Sequence, residues 1–243
     1  MEPVRTHRAR MVVEAARLHR ARERKDRGLT LVEGPDMLSD VIAAGAKVVE
    51  IFGVDAPPDS GITPVDQRAI ERLAGTKSPR GPVAVVEIPS EWLDRGRNLL
   101  VSVGVSDPGN VGTMIRTAAA FAWGFAYTEG TADPWSPKTI RAGAGAQFQT
   151  PVTRIGGIAE LGEWTTVATV VRGGQSPRTV VARPVAVLIG EEARGLAASI
   201  VRAADRTVTI ATTGSTESLN AAVAAAITMF AFEEGSGEFR SDV

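Results

Sequence analysis

"DPGNVGTMIRTAAAFAWGF", Asp107 to Phe125, opens as a turn and closes as an apolar helix. Val111, Met114, Ile115, Ala118, Ala119 and Ala122 recur at the spacing of one helix face. Asn110 stands where an N-cap belongs, Gly109 in the turn suits positive φ, and Gly124 is placed to end the helix. At about 100° per residue, Arg116 lies roughly 120° from the middle of the apolar stripe, so it points away from the core. Packing requires neither Asn110 nor Arg116. A cap and a surface arginine would explain both, and so would a ligand, because the stretch follows the apolar strand "LLVSVGV". In open α/β sheets ligands gather where strands end and helices begin.

Two further strand ends share that layout. "VAVLIGEEARGL" leaves a buried strand, Val185 to Ile189, at Gly190, where a ligand can approach the backbone; Glu192 could equally sit in the first turn of a following helix. "VTIATTGSTESLNAAVAAAI" reads as a strand from Val208 to Ile210, a loop of small hydroxyl residues around Gly214, and a helix opening near Ser218, with Ser218 or Asn220 as possible caps. Three strand ends in one half of the chain thus combine Gly with Asn, Glu or Ser.

These segments belong to a regular rhythm. From Leu99 onward, "GFAYT", "TTVATVV", "VAVLIG" and "RTVTI" are short apolar strands separated by helical stretches, the pattern of a parallel sheet covered on both faces. "PSEWLDRGRN", Pro89 to Asn98, is polar and broken by Pro and Gly, and reads as a linker. Before it, strands at Leu29–Val32, "KVVEIFGV" and "GPVAVVEI" alternate with helices from Asp36 to about Ala44 and over "DQRAIERLAG", whose C′ residue is Gly75. That makes a small α/β domain. A helix from about Val4 to Arg24 precedes it, with Val12, Ala15, Ala16 and Leu18 as its apolar face.

Composition narrows the function. Residues 1–28 hold eight arginines and one lysine against four acids, whereas the remainder carries 18 basic and 24 acidic residues. A basic arm on a mildly acidic body suits a polyanion such as RNA, although a solvated charged helix has the same composition. The chain has no cysteine and only His7 and His19 as histidines, so no metal site is expected. The longest apolar run, Ala221 to Phe232, has 12 residues and is expected to be a buried helix, too short to span a membrane. The arginine-rich start lacks an apolar core for secretion, which leaves a cytoplasmic location as the expectation.

Taken together, the three strand ends resemble the SpoU/TrmH branch of the SPOUT superfamily, S-adenosylmethionine-dependent RNA ribose 2′-O-methyltransferases. The family's N-x-G-x-x-x-R-T is met by Asn110, Gly112, Arg116 and Thr117, and its G-x-E-x-x-G-L by Gly190, Glu192, Gly195 and Leu196. Its G-x-x-x-S-L-N is met by Gly214, Ser218, Leu219 and Asn220. The first half is similar to the family's RNA-binding domain, through "LVEG" (Leu31 to Gly34) and "GPVAVV". One departure is that Ile210 is followed by Ala211 and Thr212, where the family usually has Pro and an apolar residue.

The resemblance implies an α/β fold of two domains. Residues 1–96 would form a ribosomal-protein-like RNA substrate-binding domain, and 97–243 a parallel-sheet methyltransferase domain closed by a trefoil knot. It implies a homodimer with the active site completed across the interface, and S-adenosyl-L-methionine as cofactor, held by Thr169, Leu188, Gly190, Ile210, Ser218 and Leu219. Arg116 would be the central catalytic residue, with Asn110, Glu192, Ser218 and Asn220 orienting it and the ribose. Because a guanidinium stays protonated, Arg116 is expected to steady the developing alkoxide or a phosphate. Arg8, Arg20, Arg24 and Arg141 are the expected RNA contacts. The expected substrate is 23S ribosomal RNA; the alternatives are a tRNA 2′-O-methyltransferase or a non-catalytic RNA-binding protein. The glycines of "GAGAQF" follow no clear strand and precede no ribose-binding acid, which argues against a dinucleotide site.

Overall fold

A computed structural model of the chain describes residues 5–57, 59–76, 78–79, 81–179, 184–214 and 218–236; Val4, the expected start of the first helix, lies outside them. In chain order the elements are α1 (Arg10–Ala16), α2 (Ala21–Arg27), β1 (Leu29–Glu33), α3 (Pro35–Ala43), β2 (Val48–Gly53), β3 (Thr63–Pro64), α4 (Gln67–Ala74) and β4 (Val83–Glu87). There follow β5 (Leu99–Val103), α5 (Pro108–Ala120), β6 (Gly124–Tyr127), α6 (Pro137–Ala142), β7 (Val152–Arg154), β8 (Thr165–Thr169), β9 (Val185–Gly190), α7 (Ala198–Ala203), β10 (Arg206–Val208) and α8 (Ala221–Ser236). Two compact units result: residues 1–90 with 133–149, and residues 91–132 with 150–243. A single cut after residue 96 therefore does not describe the chain, because the segment carrying "TIRAGAGAQF" packs with the first unit.

In the first unit, four strands lie in the order β1-β4-β2-β3, with β4 antiparallel to both β1 and β2 and β3 parallel to β2. α4 buries Ala69, Ile70, Leu73 and Ala74, starts on the Asp66 carboxylate 2.8 Å from the Ala69 N–H, and ends at Gly75 with φ +68°. Val12, Ala15 and Leu18 join that core as expected. The single helix expected to reach Arg24 is broken, because Arg20 adopts extended angles (φ −90°, ψ 130°) between a 3-10 turn at Arg17–His19 and α2.

In the second unit six strands, all parallel, lie in the order β10-β8-β9-β5-β6-β7. Leu99, Val101, Ala186 and Leu188 face Ile200 and Val201 of α7, and alternation sends Leu100 and Val187 to the opposite face. Both faces are apolar, which is why these strands carry no polar alternation.

Several local expectations need correction. α5 is capped by Asp107, whose carboxylate accepts from the Asn110 N–H at 2.8 Å, with Pro108 in the first turn; Asn110 is inside the helix, and its side chain is free for other work. Gly109 is helical, and positive φ falls at Gly104 (+70°) instead. The chain leaves α5 through Ala122 (φ 56°), and Gly124 begins β6, where a Cβ would lie 2.7 Å from the Leu99 side chain. β10 stops at Val208 rather than running to Ile210. α8 is only half buried: Ala222, Ala225, Met229 and Phe232 pack inward, while Val223 (47%), Ile227 (39%) and Phe230 (44%) are exposed.

Candidate active site

The C-terminal ends of β10, β8, β9 and β5 form one ledge. Pairing sets Val208 beside Thr169, Ala168 beside Leu188, and Gly190 beside Val103, so the turns that follow leave neighbouring strands at similar height. A cleft of about 1030 Å³ opens there, lined among others by Thr169, Gly190, Glu192, Ile210, Ser218 and Leu219.

Gly190 is required by the turn itself. A Cβ on it would run into the Gly195 carbonyl carbon and lie 2.6 Å from the Leu196 nitrogen, while the Gly195 N–H donates to the Glu191 carbonyl at 2.8 Å and Gly195 takes φ +62°. The space a side chain would need is thus filled by the chain's own backbone, and this tight turn presents Gly190, Glu191 and Glu192 to the cleft. Glu192 lies in that turn and in no helix, since α7 starts only at Ala198. Leu188 is corrected as well: it is fully buried, its carbonyl accepts the Thr169 hydroxyl at 2.8 Å, and it does not line the cleft.

Beside the cleft the three sequence motifs meet in one hydrogen-bonded cluster. Asn220 Oδ1 accepts from the N–H groups of Ala222 (3.0 Å) and Val223 (3.2 Å), capping α8. Its Nδ2 donates to Asn110 Oδ1 at 2.9 Å and, more weakly, to Glu192 Oε1 at 3.4 Å. Asn110 Nδ2 donates to the same Glu192 Oε1. Asn220 is therefore a cap and a member of this cluster at once. Ser218 is exposed on the cleft wall.

Arg116 is exposed on α5, makes no hydrogen bond or ion pair with any described residue, and does not line this cleft. Six positions beyond Asn110, it is turned about 120° around the helix and carried roughly 9 Å along it. It points away from the buried Val111, Met114, Ile115 and Ala118, as expected.

The cleft fits an adenosyl cofactor held by the main chain. The backbone N–H and C=O groups of Ile210, Ala211, Thr212 and Leu219 have no hydrogen-bond partner among the described residues, and all four residues border the cleft. Main-chain groups left unpaired at a recess offer donors and acceptors to a ligand edge. No group of His, Asp or Glu among the described residues is arranged to hold a metal ion.

The expected RNA contacts divide. Arg8 and Arg20 are exposed with no side-chain partner among the described residues, whereas Arg141 is half exposed and paired with Glu33 at 3.3 Å. Arg24 must be withdrawn as an RNA contact. Its side chain is 4% exposed, with Nε and Nη2 on the Asp133 carboxylate and Nη1 on the Leu18 carbonyl at 2.7 Å, so all three nitrogens are engaged and burial keeps a phosphate away. Its partner is 109 residues away and has no sequence signal. Another missed feature is Asp205, which accepts from both the Thr166 hydroxyl (2.7 Å) and the Thr166 N–H (2.8 Å); these bonds hold its carboxyl below the usual carboxylate range.

The model of the SpoU rRNA methylase family matches residues 97–230. The 23S rRNA (guanosine(2553)-2′-O)-methyltransferase RlmP of Bacillus subtilis (strain 168) is 30% identical over 95% of this chain and 98% of its own. The 23S rRNA (uridine(2479)-2′-O)-methyltransferase of Streptomyces viridochromogenes is 32% identical over 63% of this chain and 60% of its own. Among solved structures, the AdoMet-bound rRNA methyltransferase from Sinorhizobium meliloti superposes with a TM-score of 0.84 at 26% identity, covering 96% of this chain and 97% of that one. The SpoU methyltransferase AviRb from Streptomyces viridochromogenes, in complex with AdoMet, gives 0.83 at 25%, covering 96% and 100%.

Proposed function

This chain belongs to the SpoU rRNA methylase family, and from that premise we propose that it transfers a methyl group from S-adenosyl-L-methionine to a ribose 2′-hydroxyl of 23S ribosomal RNA. The observation that carries the reading is the meeting of Asn110, Glu192 and Asn220, from three separate strand ends, beside a cleft bordered by unpaired main-chain groups.

S-adenosylmethionine, when bound, supplies an electrophilic methyl. The main chain at Gly190, Ile210 and Leu219, with Ser218 and the floor at Thr169, would hold its adenosine and set its depth in the cleft. Asn110 and Asn220 fix the carboxylate of Glu192. Holding a sugar hydroxyl in line with the methyl removes much of the entropic barrier, and exclusion of water strengthens the polar contacts.

Arg116 has no partner among the described residues and lies off its own cluster, which supports a homodimer in which Arg116 serves the partner's cleft and steadies the alkoxide or phosphate there. The exposed stripe of Val223 and Ile227 on α8 would be buried in that dimer. For the trefoil knot the support is the segment between β8 and β9. Gln175 bridges to Val208, and Arg178 pairs with Glu234 at 3.3 Å, so this segment touches the chain both before and after the loop that leads into α8. Arg8, Arg20 and Arg141 would grip RNA phosphates from the first unit, with Glu33 releasing Arg141. No helix among the described residues is long and apolar enough to cross a membrane. We place the enzyme in the cytoplasm with its RNA.

The test supplies methyl-labelled cofactor and unmodified 23S rRNA transcript. Label located at a linkage resistant to alkali supports ribose 2′-O transfer; label on a base, or none, overturns it.

A further inference from the structure

Building on the methyl-transfer reading, we infer that Glu192 takes the proton of the ribose 2′-hydroxyl, and does so at its second oxygen, Oε2. The polarity of the amide chain leads there. Two N–H groups, of Ala222 and Val223, converge on one side-chain atom of Asn220, so that atom is oxygen and the nitrogen faces Asn110 and Glu192. Asn110 then presents oxygen to Asn220 and nitrogen to Glu192. Both nitrogens end on Oε1. That oxygen is saturated and the carboxylate is held in one orientation, so a further proton can be accepted only at Oε2.

No comparable base lines the cleft among the described residues. His7 and His19 are the only histidines and both belong to the first unit, the chain has no cysteine, and a guanidinium stays protonated. Of the two carboxylates among the described cleft residues, Glu191 lies across from Arg194 at 4.0 Å. Glu192 is only partly exposed and is the one tied into the cluster.

In the step, the ribose oxygen forms its bond to the methyl carbon as the carbon–sulfur bond breaks and its electron pair stays on sulfur. The O–H pair returns to the ribose oxygen, and the proton passes to Glu192 Oε2 and then to water. A hydroxyl oxygen acquiring a methyl group becomes strongly acidic as the bond forms, so a carboxylate is a sufficient acceptor when proton transfer accompanies or follows bond formation.

The experiment uses Glu192→Gln, which keeps an oxygen for both amides and removes the basic site. Single-turnover methylation of 23S rRNA transcript is expected to fall at least ~100-fold, and the acid limb of the rate against pH to vanish. Calorimetric affinity for S-adenosylhomocysteine and filter-binding affinity for the transcript are expected to stay within about twofold of wild type. Should Glu192→Gln fail to fold, Glu192→Asp is read instead, and is expected to be slower but to keep the acid limb. Glu192 is not the acceptor if the Gln variant stays within about fivefold of wild type, keeps the acid limb, or loses cofactor affinity in step with rate, or if the Asp variant loses the acid limb. A wild-type enzyme that labels no RNA would overturn the methyl-transfer reading and this one together, whereas an active wild type with an active Gln variant would overturn this one alone.

Discussion

Asn220 caps α8 with its amide oxygen and donates its amide nitrogen, at 2.9 Å, to Asn110, which lies 110 residues earlier in the chain. One side chain therefore both starts the last helix and orders the site. Asn220→Asp separates these tasks, because Asp caps a helix about as well as Asn but offers no donor to Asn110 or Glu192. The thermal midpoint is expected to move little and the methylation rate to fall at least ~10-fold, as the new carboxylate faces that of Glu192. Calorimetric unfolding and single-turnover assays check the two halves of the prediction.

If Arg116 serves the partner's cleft, two inactive proteins should rescue each other. Arg116→Ala and Asn220→Asp, each nearly inactive, are expected to regain about a quarter of wild-type activity when refolded together at equal concentration, since half the dimers are mixed and each mixed dimer has one intact site. No rescue would mean that a single subunit supplies both residues to its cleft. Ile227→Glu on the exposed stripe is expected to give a monomer by light scattering.

The arginines of the first unit should behave in opposite ways. Arg24→Ala leaves the Asp133 carboxylate and the Leu18 carbonyl without their partner, and is expected to cost about 3–5 kcal/mol of stability. Arg8→Glu with Arg20→Glu is expected to leave unfolding within about 0.5 kcal/mol of wild type. The same pair should weaken RNA binding and flatten its salt dependence, measured by filter binding across salt concentrations.

Asp205 sets an acid limit on the junction between β8 and β10. Its folded-state acidity is increased by the Thr166 hydroxyl and N–H, so it stabilises the fold above the unfolded carboxylate range, near pH 4, and the benefit is lost as pH falls through its lower folded value. Thr166→Val should move the Asp205 titration upward by nuclear magnetic resonance and remove part of this acid dependence. An unchanged titration would show that the hydroxyl is not its cause.

Much of this protein is written locally. Apolar runs with no polar alternation marked β5, β6, β8 and β9 as members of a parallel sheet, because strands covered on both faces have no solvent side to display. The offset of Arg116 from the apolar stripe gave its outward direction by helix geometry alone. Strand ends carrying Gly with Asn, Glu or Ser marked the edge where the cleft opens, since each motif sits within a dozen residues.

What tertiary structure decided were contacts across long stretches of chain. The capping of α5 by Asp107 instead of Asn110 is a one-turn shift that either residue type permits, and Asn110 is drawn inward by Glu192, 82 residues away. Arg24 has the composition of an RNA-binding arm, yet it is buried because Asp133 comes back to meet it. Gly190 was read as a point where a ligand can approach the backbone, and only the fold shows that Gly195 and Leu196 occupy the space a side chain would need. Local sequence sets periodicity and turn chemistry, while partners that arrive from distant segments depend on how the strands are ordered, and no local pattern encodes that order.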